Sequence, residues 1–290
     1  MITISLKTRV FNFFRSIFKI QFLERFLVNK ISKKGSLYNF YSKLIPCNYQ
    51  YSKNSIRVFE KNGIKFKVDI SEYISHYIYF GLKDPGFDQL MSLSKDSKVI
   101  FDIGANIGFT ALNMATLSKN AIVYAFEPDS FNFNKLESNF MLNNLNNLII
   151  LNFGLGDEED KFKLAIVTPD NLGGNSIDNS ATENFSWVEI KRLDAFVESN
   201  DIKSLDLIKI DVEGFELNVL KGAEKIIKEH LPTMFIEVDD NNLKNHDSSA
   251  KELIIFLEKF YTNIFDAESK KKITSYDDFT NCHFDVVTMK

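Results

Sequence analysis

"VIFDIGANIGFTALNMA", Val99–Ala115, runs from an unbroken apolar stretch through two glycines into a helical pattern. An apolar run ended by glycine and followed by an amphipathic segment is how a buried parallel strand feeds a crossover helix. The alternation repeats down the chain. "AIVYAFEP" precedes a helix over 130–142, and "NLIILNFGLG" is a third run. "LDLIKIDVEG" precedes a helix over 215–229, and "PTMFIEVDD" precedes one over 249–260. Together these segments specify an α/β fold: a mostly parallel sheet with helices on both faces. "HFDVVTMK" reads as a last strand at the sheet's edge. Residues 161–192 interrupt the alternation with "KFKLAIV", a loop through Gly173-Gly174-Asn175 and most of "SWVEIKRL", which reads as a β-rich insertion.

Ahead of this domain, taken as 91–290, residues 1–90 read as a helical and hairpin extension. "RVFEKNGIKFKVDI" alternates around Asn62-Gly63, the pattern of a hairpin with a tight turn. "YISHYIYFGLKDPGFDQLMSL" reads as helix, a loop at Asp84-Pro85-Gly86, and helix. Residues 1–50 carry nine Lys/Arg and one acid, Glu24. Within them Phe11, Phe14, Phe18, Phe22 and Phe26 recur at three- and four-residue steps, a helical apolar face with Arg15, Lys19 and Arg25 around it. Charges break every apolar run, so neither a transmembrane span nor a signal-peptide core is expected here. Two readings stand: a helix docked on the main domain or in a homo-oligomer interface, and a basic amphipathic helix in peripheral contact with the inner membrane surface.

The bulk numbers set limits. The 290 residues are 44% hydrophobic and 26% charged, ordinary for a globular chain. A net charge of -4 gives no reason to expect nucleic acid as a partner. Cys47 and Cys282 lie far apart, and four His occur without an HExxH. A structural zinc site and a disulfide framework are therefore not indicated, and a reducing, cytoplasmic setting is the default.

In an open parallel sheet, ligands bind beyond the strand C-termini, near the point where strand order reverses. The first run ends in Asp102-Ile103-Gly104-Ala105-Asn106-Ile107-Gly108. Its glycines permit a sharp turn and close backbone approach to a ligand. A carboxylate at this turn suits a cationic or neutral ligand better than a pyrophosphate. The second run ends in Glu127-Pro128, about 20 residues after the glycine turn, where an acid can hydrogen-bond ribose hydroxyls. The fourth ends in "IKIDVEGFE", which gathers Asp211, Glu213 and Glu216. The fifth ends in Glu237-Val238-Asp239-Asp240. Crowded carboxylates repel, which raises some of their pKa values or recruits a cation. The helix dipole alone accounts for Glu216.

"FDIGANIGFT", "AFEPD", "LIKIDVEGFELNVLKGA" and "PTMFIEV", in this order and spacing, resemble the FkbM family of S-adenosylmethionine-dependent methyltransferases. The resemblance covers Val99 to Val238. It implies a Rossmann-like class I methyltransferase fold with a seven-stranded sheet. It also implies that Asp102, Gly104, Ala105, Asn106 and Gly108 cradle the methionine portion of the cofactor, and that Glu127 and Pro128 hold its ribose. Asn139 and Gly154 would border the adenine. Asn175 and Ser176, in a "GNS" loop, would lie near the substrate. Asp211 and Glu213 would flank the transferring methyl, and Glu237 would complete the acidic rim.

The chemistry expected is in-line methyl transfer to a hydroxyl of a sugar, glycan or small secondary metabolite. Asp211 is the first candidate for proton acceptor, with Glu213 and Glu237 next. His246, in the loop after the fifth strand, is either a substrate-side group or a solvent-exposed residue. Asp211 with Glu237 or Asp239 could instead hold Mg²⁺, since oxygen ligands suit that ion. A nicotinamide oxidoreductase lacks its GxGxxG here. A non-catalytic, membrane-associated or scaffolding protein on a methyltransferase-like domain is the alternative from a different class.

Overall fold

The computed structural model describes residues 5–34, 40–82, 86–166 and 174–290. The expected turn at Asp84-Pro85 and the Gly173 part of the insertion loop lie outside the described residues. The chain divides into two compact units, one within residues 1–84 and the other from residue 85 on. The expected boundary at residue 90 falls inside the first helix of the second unit.

The first unit contains helices α1 (Leu6–Arg15) and α2 (Gln21–Lys34), the hairpin β1 (Ile56–Lys61) and β2 (Ile64–Asp69), and helix α3 (Tyr73–Phe80). Ser5 caps α1 by accepting from the Thr8 amide. The hairpin turns on Asn62 and Gly63, both at positive φ, as a two-residue primed turn requires. The continuous Phe-lined helix expected over residues 11–26 is divided. A 3₁₀ turn at Ser16–Lys19 and an extended Ile20 separate α1 from α2. Inward packing in α2 comes from Glu24, Leu27 and Ile31, at helical spacing, while Phe22 and Phe26 stay exposed. Glu24 is fully buried. Its two oxygens accept from Arg57 Nε (2.6 Å) and Nη2 (2.9 Å), and Oε1 also accepts from Tyr79 Oη (2.8 Å).

The second unit begins with α4 (Phe87–Ser94). Its main sheet has seven strands: β3 (Val99–Ile103), β4 (Ile122–Phe126), β5 (Leu148–Leu151), β10 (Leu207–Ile210), β11 (Thr233–Asp239), β12 (Asn263–Asp266) and β13 (His283–Met289). Their order is β12-β13-β11-β10-β3-β4-β5. The five strands from β11 to β5 are parallel; β13 is antiparallel to both its neighbours. This is the seven-stranded, mostly parallel sheet expected. Helices α5 (Phe109–Leu117) and α6 (Ser130–Met141) connect β3 to β4 to β5, stepping one way. Helices α8 (Glu216–Gly222) and α9 (Glu224–His230) connect β10 to β11, stepping the other way. Right-handed crossovers then put the two pairs on opposite faces, and strand order reverses between β3 and β10.

The insertion is a second sheet in the order β6-β9-β7-β8, formed by β6 (Gly154–Gly156), β7 (Asp160–Ala165), β8 (Ser176–Ile177) and β9 (Phe185–Arg192). Its first strand comes from the run "NLIILNFGLG", which splits between the two sheets. Helix α7 (Leu193–Ser199) leads from β9 back to β10. Two further expectations are corrected. The last strand is not an edge: β13 lies between β11 and β12, and β12, a short segment of mixed polarity, is the edge. The helix expected over 215–229 is two helices that meet at Ala223. Helix α10 (Asp240–Lys244) and α11 (Ala250–Glu258) follow β11.

Candidate active site

The reversal between β3 and β10 brings the first and fourth apolar runs side by side, with Asp102 paired in register with Lys209. Past the strand ends, Gly104 adopts φ +80, and a Cβ placed on it would lie 1.8 Å from the Asp211 carbonyl oxygen. Both the conformation and the close approach demand glycine here. Asn106 and Gly108 are also left-handed, so the turn folds tightly before α5 begins. Buried Asn139 donates from Nδ2 to the Ile107 carbonyl at 2.9 Å, which holds the turn from behind. Its place is under the loop.

Asp102 is fully buried. Its Oδ2 accepts from Thr110 Oγ1 at 2.5 Å, and its Oδ1 lies 3.5 Å from Lys209 Nζ. Burial raises its pKa, against the pull of Lys209 and Thr110. A ligand in the turn therefore meets the field of an acid–lysine pair rather than that of a lone carboxylate, which revises the charge argument made from the sequence.

Lys209 is the residue that the sequence reading missed. It is buried in β10, and Nζ lies 3.0 Å from Asp211 Oδ2 and 3.1 Å from the Gly104 carbonyl oxygen. Burial works against its charge, but Asp211 and Asp102 outweigh it and hold the ammonium above its ordinary range. The signal was present: a lysine inside the apolar "LIKI" must be paired to be buried.

Three carboxylates face one another beyond β10 and β11. One oxygen each of Asp211, Glu213 and Glu237 lies within 4.8 Å of the others. Their environments separate them. For Asp211, burial opposes ionisation, yet Lys209 prevails and holds the carboxyl below its usual range. Glu237 hydrogen-bonds Asp211, and that neighbouring charge, with burial, pushes it up to about 11. Glu213 is raised to about 8 by burial and by the charges of Asp211 and Glu216. Its backbone is left-handed at φ 53, and its Oε2 accepts from Asn242 Nδ2 at 2.8 Å. A proton on Glu237, a second on Glu213 below about pH 8, and one lysine for Asp211 thus balance the cluster. Glu216 caps the same turn, accepting from the amides of Val212 and Gly214.

Asp239 does not join the cluster. Its Oδ1 caps α10 through the amides of Asn241 and Asn242, and its Oδ2 faces His283 Nδ1 at 2.9 Å. The oxygen-only set that could hold a metal is therefore Asp211, Glu213 and Glu237, not one that includes Asp239. His283 comes from β13, opposite Asp239, and its Nε2 lies 3.7 Å from Glu237. Placing β13 at an edge hid it from the sequence reading.

Glu127 is buried at the end of β4. Its Oε2 accepts from the Asn106 amide (2.8 Å) and its Oε1 from the Asp129 amide (2.9 Å). Burial nevertheless raises it to about 8. One acceptor site on each oxygen remains for a hydroxyl. Asn152 Nδ2 donates to the Glu127 carbonyl, and Asn175 Nδ2 donates to Asp129 Oδ2, which draws the insertion to this turn. Ser176 pairs with Ala165 in the second sheet. A Cβ on Gly154 would lie 2.6 Å from Ile190 and 3.4 Å from Pro128, so packing fixes glycine there. His246 is not a solvent-exposed loop residue: its ring packs edge-on against Phe215 and closes over Gly214. Burial lowers its pKa.

The model of the Methyltransferase FkbM domain matches residues 102–263. The hexuronic acid methyltransferase AglP of Haloferax volcanii is 31% identical over 139 residues, 48% of this chain and 55% of that protein. The 2-O-methyltransferase NoeI of Sinorhizobium fredii is 26% identical over 59% of this chain and 76% of its own length. Methyltransferase FkbM of Methylobacillus flagellatus, a solved structure, is 17% identical with a TM-score of 0.42, covering 74% of this chain and 52% of that one. The chain thus spans about half the length of the first two matched proteins of known name or structure, AglP and the Methylobacillus protein.

Proposed function

From the premise that the chain belongs to the FkbM methyltransferase family, we propose that it transfers a methyl group from S-adenosylmethionine to a hydroxyl oxygen of a sugar or other small acceptor. The observation that carries the reading is the switch point between β3 and β10. There the glycine turn meets three carboxylates whose proton affinities are spread apart. Relatives named for a hexuronic acid and for a 2-O position support a sugar hydroxyl.

S-adenosylmethionine supplies a methyl carbon already activated by its sulfonium. The backbone of Gly104–Gly108 gives the close approach that its amino-acid end needs. Glu127 offers acceptors to the ribose, with the Asn106 and Asp129 amides fixing its rotamer. An attacking hydroxyl must lose its proton, and a base works best with a pKa near the working pH. Glu213, at about 8, meets this condition better than Asp211, which Lys209 holds ionised and weakly basic. Glu213 therefore takes the proton, Asp211 orients the acceptor, and Glu237 stays protonated as a donor.

Mg²⁺ on Asp211, Glu213 and Glu237 is a second reading, favoured by their mutual distances. Because Lys209 and the protons on Glu237 and Glu213 already balance the charge, EDTA is expected to leave turnover unchanged. Loss of activity restored by Mg²⁺ would move the role to a metal. Titration calorimetry with S-adenosylmethionine tests the main reading; an absence of heat would favour a non-catalytic scaffold on the same fold.

A further inference from the structure

The first unit exposes an apolar, positively charged surface that its own fold does not use. Leu6, Val10, Phe13 and Phe14 fall on one arc of α1 of roughly 100°, with Lys7 and Arg9 at its two margins. Leu6 is 78% exposed, Phe13 73% and Phe14 60%, and α1 has no buried residue. Phe22 and Phe40 are 68% and 70% exposed on the neighbouring segments. Apolar display on this scale marks an interaction site.

The charge pattern identifies the partner. Residues 5–51 hold a single acid, Glu24. It is fully buried and taken by Arg57. Arg15 turns inward to the Lys43 carbonyl, and Lys19 to that of Gln50. Lys7, Arg9, Arg25 and Lys30 remain on exposed helical positions and make no ion pair with an acid among the described residues. A second copy of this surface would set like charge against like charge. An anionic bilayer answers both features: acyl chains take the phenyl rings, and headgroups take the ammonium and guanidinium groups.

We propose that α1, together with exposed Phe22 and Phe40, lies in the headgroup region of an anionic membrane. The transferase unit would then work at a lipid surface, on an acceptor presented there. Docking of this kind needs no spanning segment, and among the described residues no helix is long and apolar enough to cross a membrane.

The test is co-sedimentation of the full chain with vesicles of phosphatidylglycerol and phosphatidylcholine against vesicles of phosphatidylcholine alone. Binding to the anionic vesicles, weakened by salt, is expected. Lys7→Gln with Arg9→Gln should weaken it about 30-fold, at roughly fivefold per residue. Phe13→Ser with Phe14→Ser should abolish it while circular dichroism and S-adenosylmethionine binding stay intact. No vesicle binding by the unaltered chain would overturn the proposal. So would undiminished binding by both variants, or a dimer in sedimentation velocity that Phe13→Ser with Phe14→Ser dissolves in the absence of lipid. Vesicle binding is read without turnover, so its failure is distinct from failure of the methyltransferase reading.

Discussion

At the scale of single residues, the site is a problem of dividing few positive charges among many acids. Lys209 is one ammonium shared by Asp102 and Asp211, and it decides which carboxyl stays ionised. Replacing it by Met keeps the volume and strands buried Asp102 beside a partly exposed Asp211. Breaking a buried pair from one side costs about 3–5 kcal/mol, so urea unfolding of Lys209→Met should show a loss of that order. An unchanged midpoint would mean that the acids take up protons without cost. Glu213 gives a kinetic counterpart. A base must be deprotonated to act, so kcat should rise with pH to a plateau above about 8, the value to which burial and Asp211 push this carboxyl. Glu213→Gln should remove that limb and cut kcat roughly 10²–10⁴-fold, with S-adenosylmethionine affinity little changed. A retained limb at the same pH would pass the role to another group.

At the scale of elements, the site depends on how closely β3 and β10 approach past their ends. Gly104→Ala would place a methyl 1.8 Å from the Asp211 carbonyl oxygen at φ +80. The strain and the clash together cost about 2–5 kcal/mol. Thermal unfolding should show the loss, and calorimetry should show weaker cofactor binding; wild-type values in both would mean that the two loops part freely. This turn was legible in the sequence because glycine, Asp102 and an apolar run are local signals. So were Glu127 and the acids after β10, since each ends a strand that its own hydrophobicity announces. What stayed hidden was non-local. Register across the sheet pairs Asp102 with Lys209 and Asp239 with His283, and no local pattern encodes register between strands distant in sequence. The last strand reads as an edge for the same reason: β13 is half apolar, as an edge would be, and only the pairing of β12 covers it. In the first unit the five Phe at helical spacing read as one apolar face, but the extended Ile20 breaks the period and Leu27 and Ile31 supply the packing.

At the scale of the whole molecule, the buried acids couple the site to stability. Glu127 and Glu213 are raised to about 8, Glu216 to about 7 and Glu237 to about 11, each from 4.5. A carboxyl whose folded pKa lies above its unfolded value holds its proton in the native state after the unfolded chain has released it. Between those two values the native state binds more protons, so stability falls as pH rises. The contribution is complete below about 4.5 and is lost as pH climbs through 7 and 8 for Glu216, Glu127 and Glu213. Asp211 and Asp239 are lowered from 3.8, so their opposite contributions change only below that value, while His76 and His246, lowered from 6.5 by burial, oppose the four glutamates only up to about that pH. Tm should therefore decline steadily between pH 5 and pH 9, with Glu213→Gln flattening part of the slope because glutamine carries no proton to lose. A Tm that holds level or rises across this range would mean that the acids are ionised and paired in the native state. The Lys209 cluster would then need a second counter-charge, and the metal reading would regain its ground.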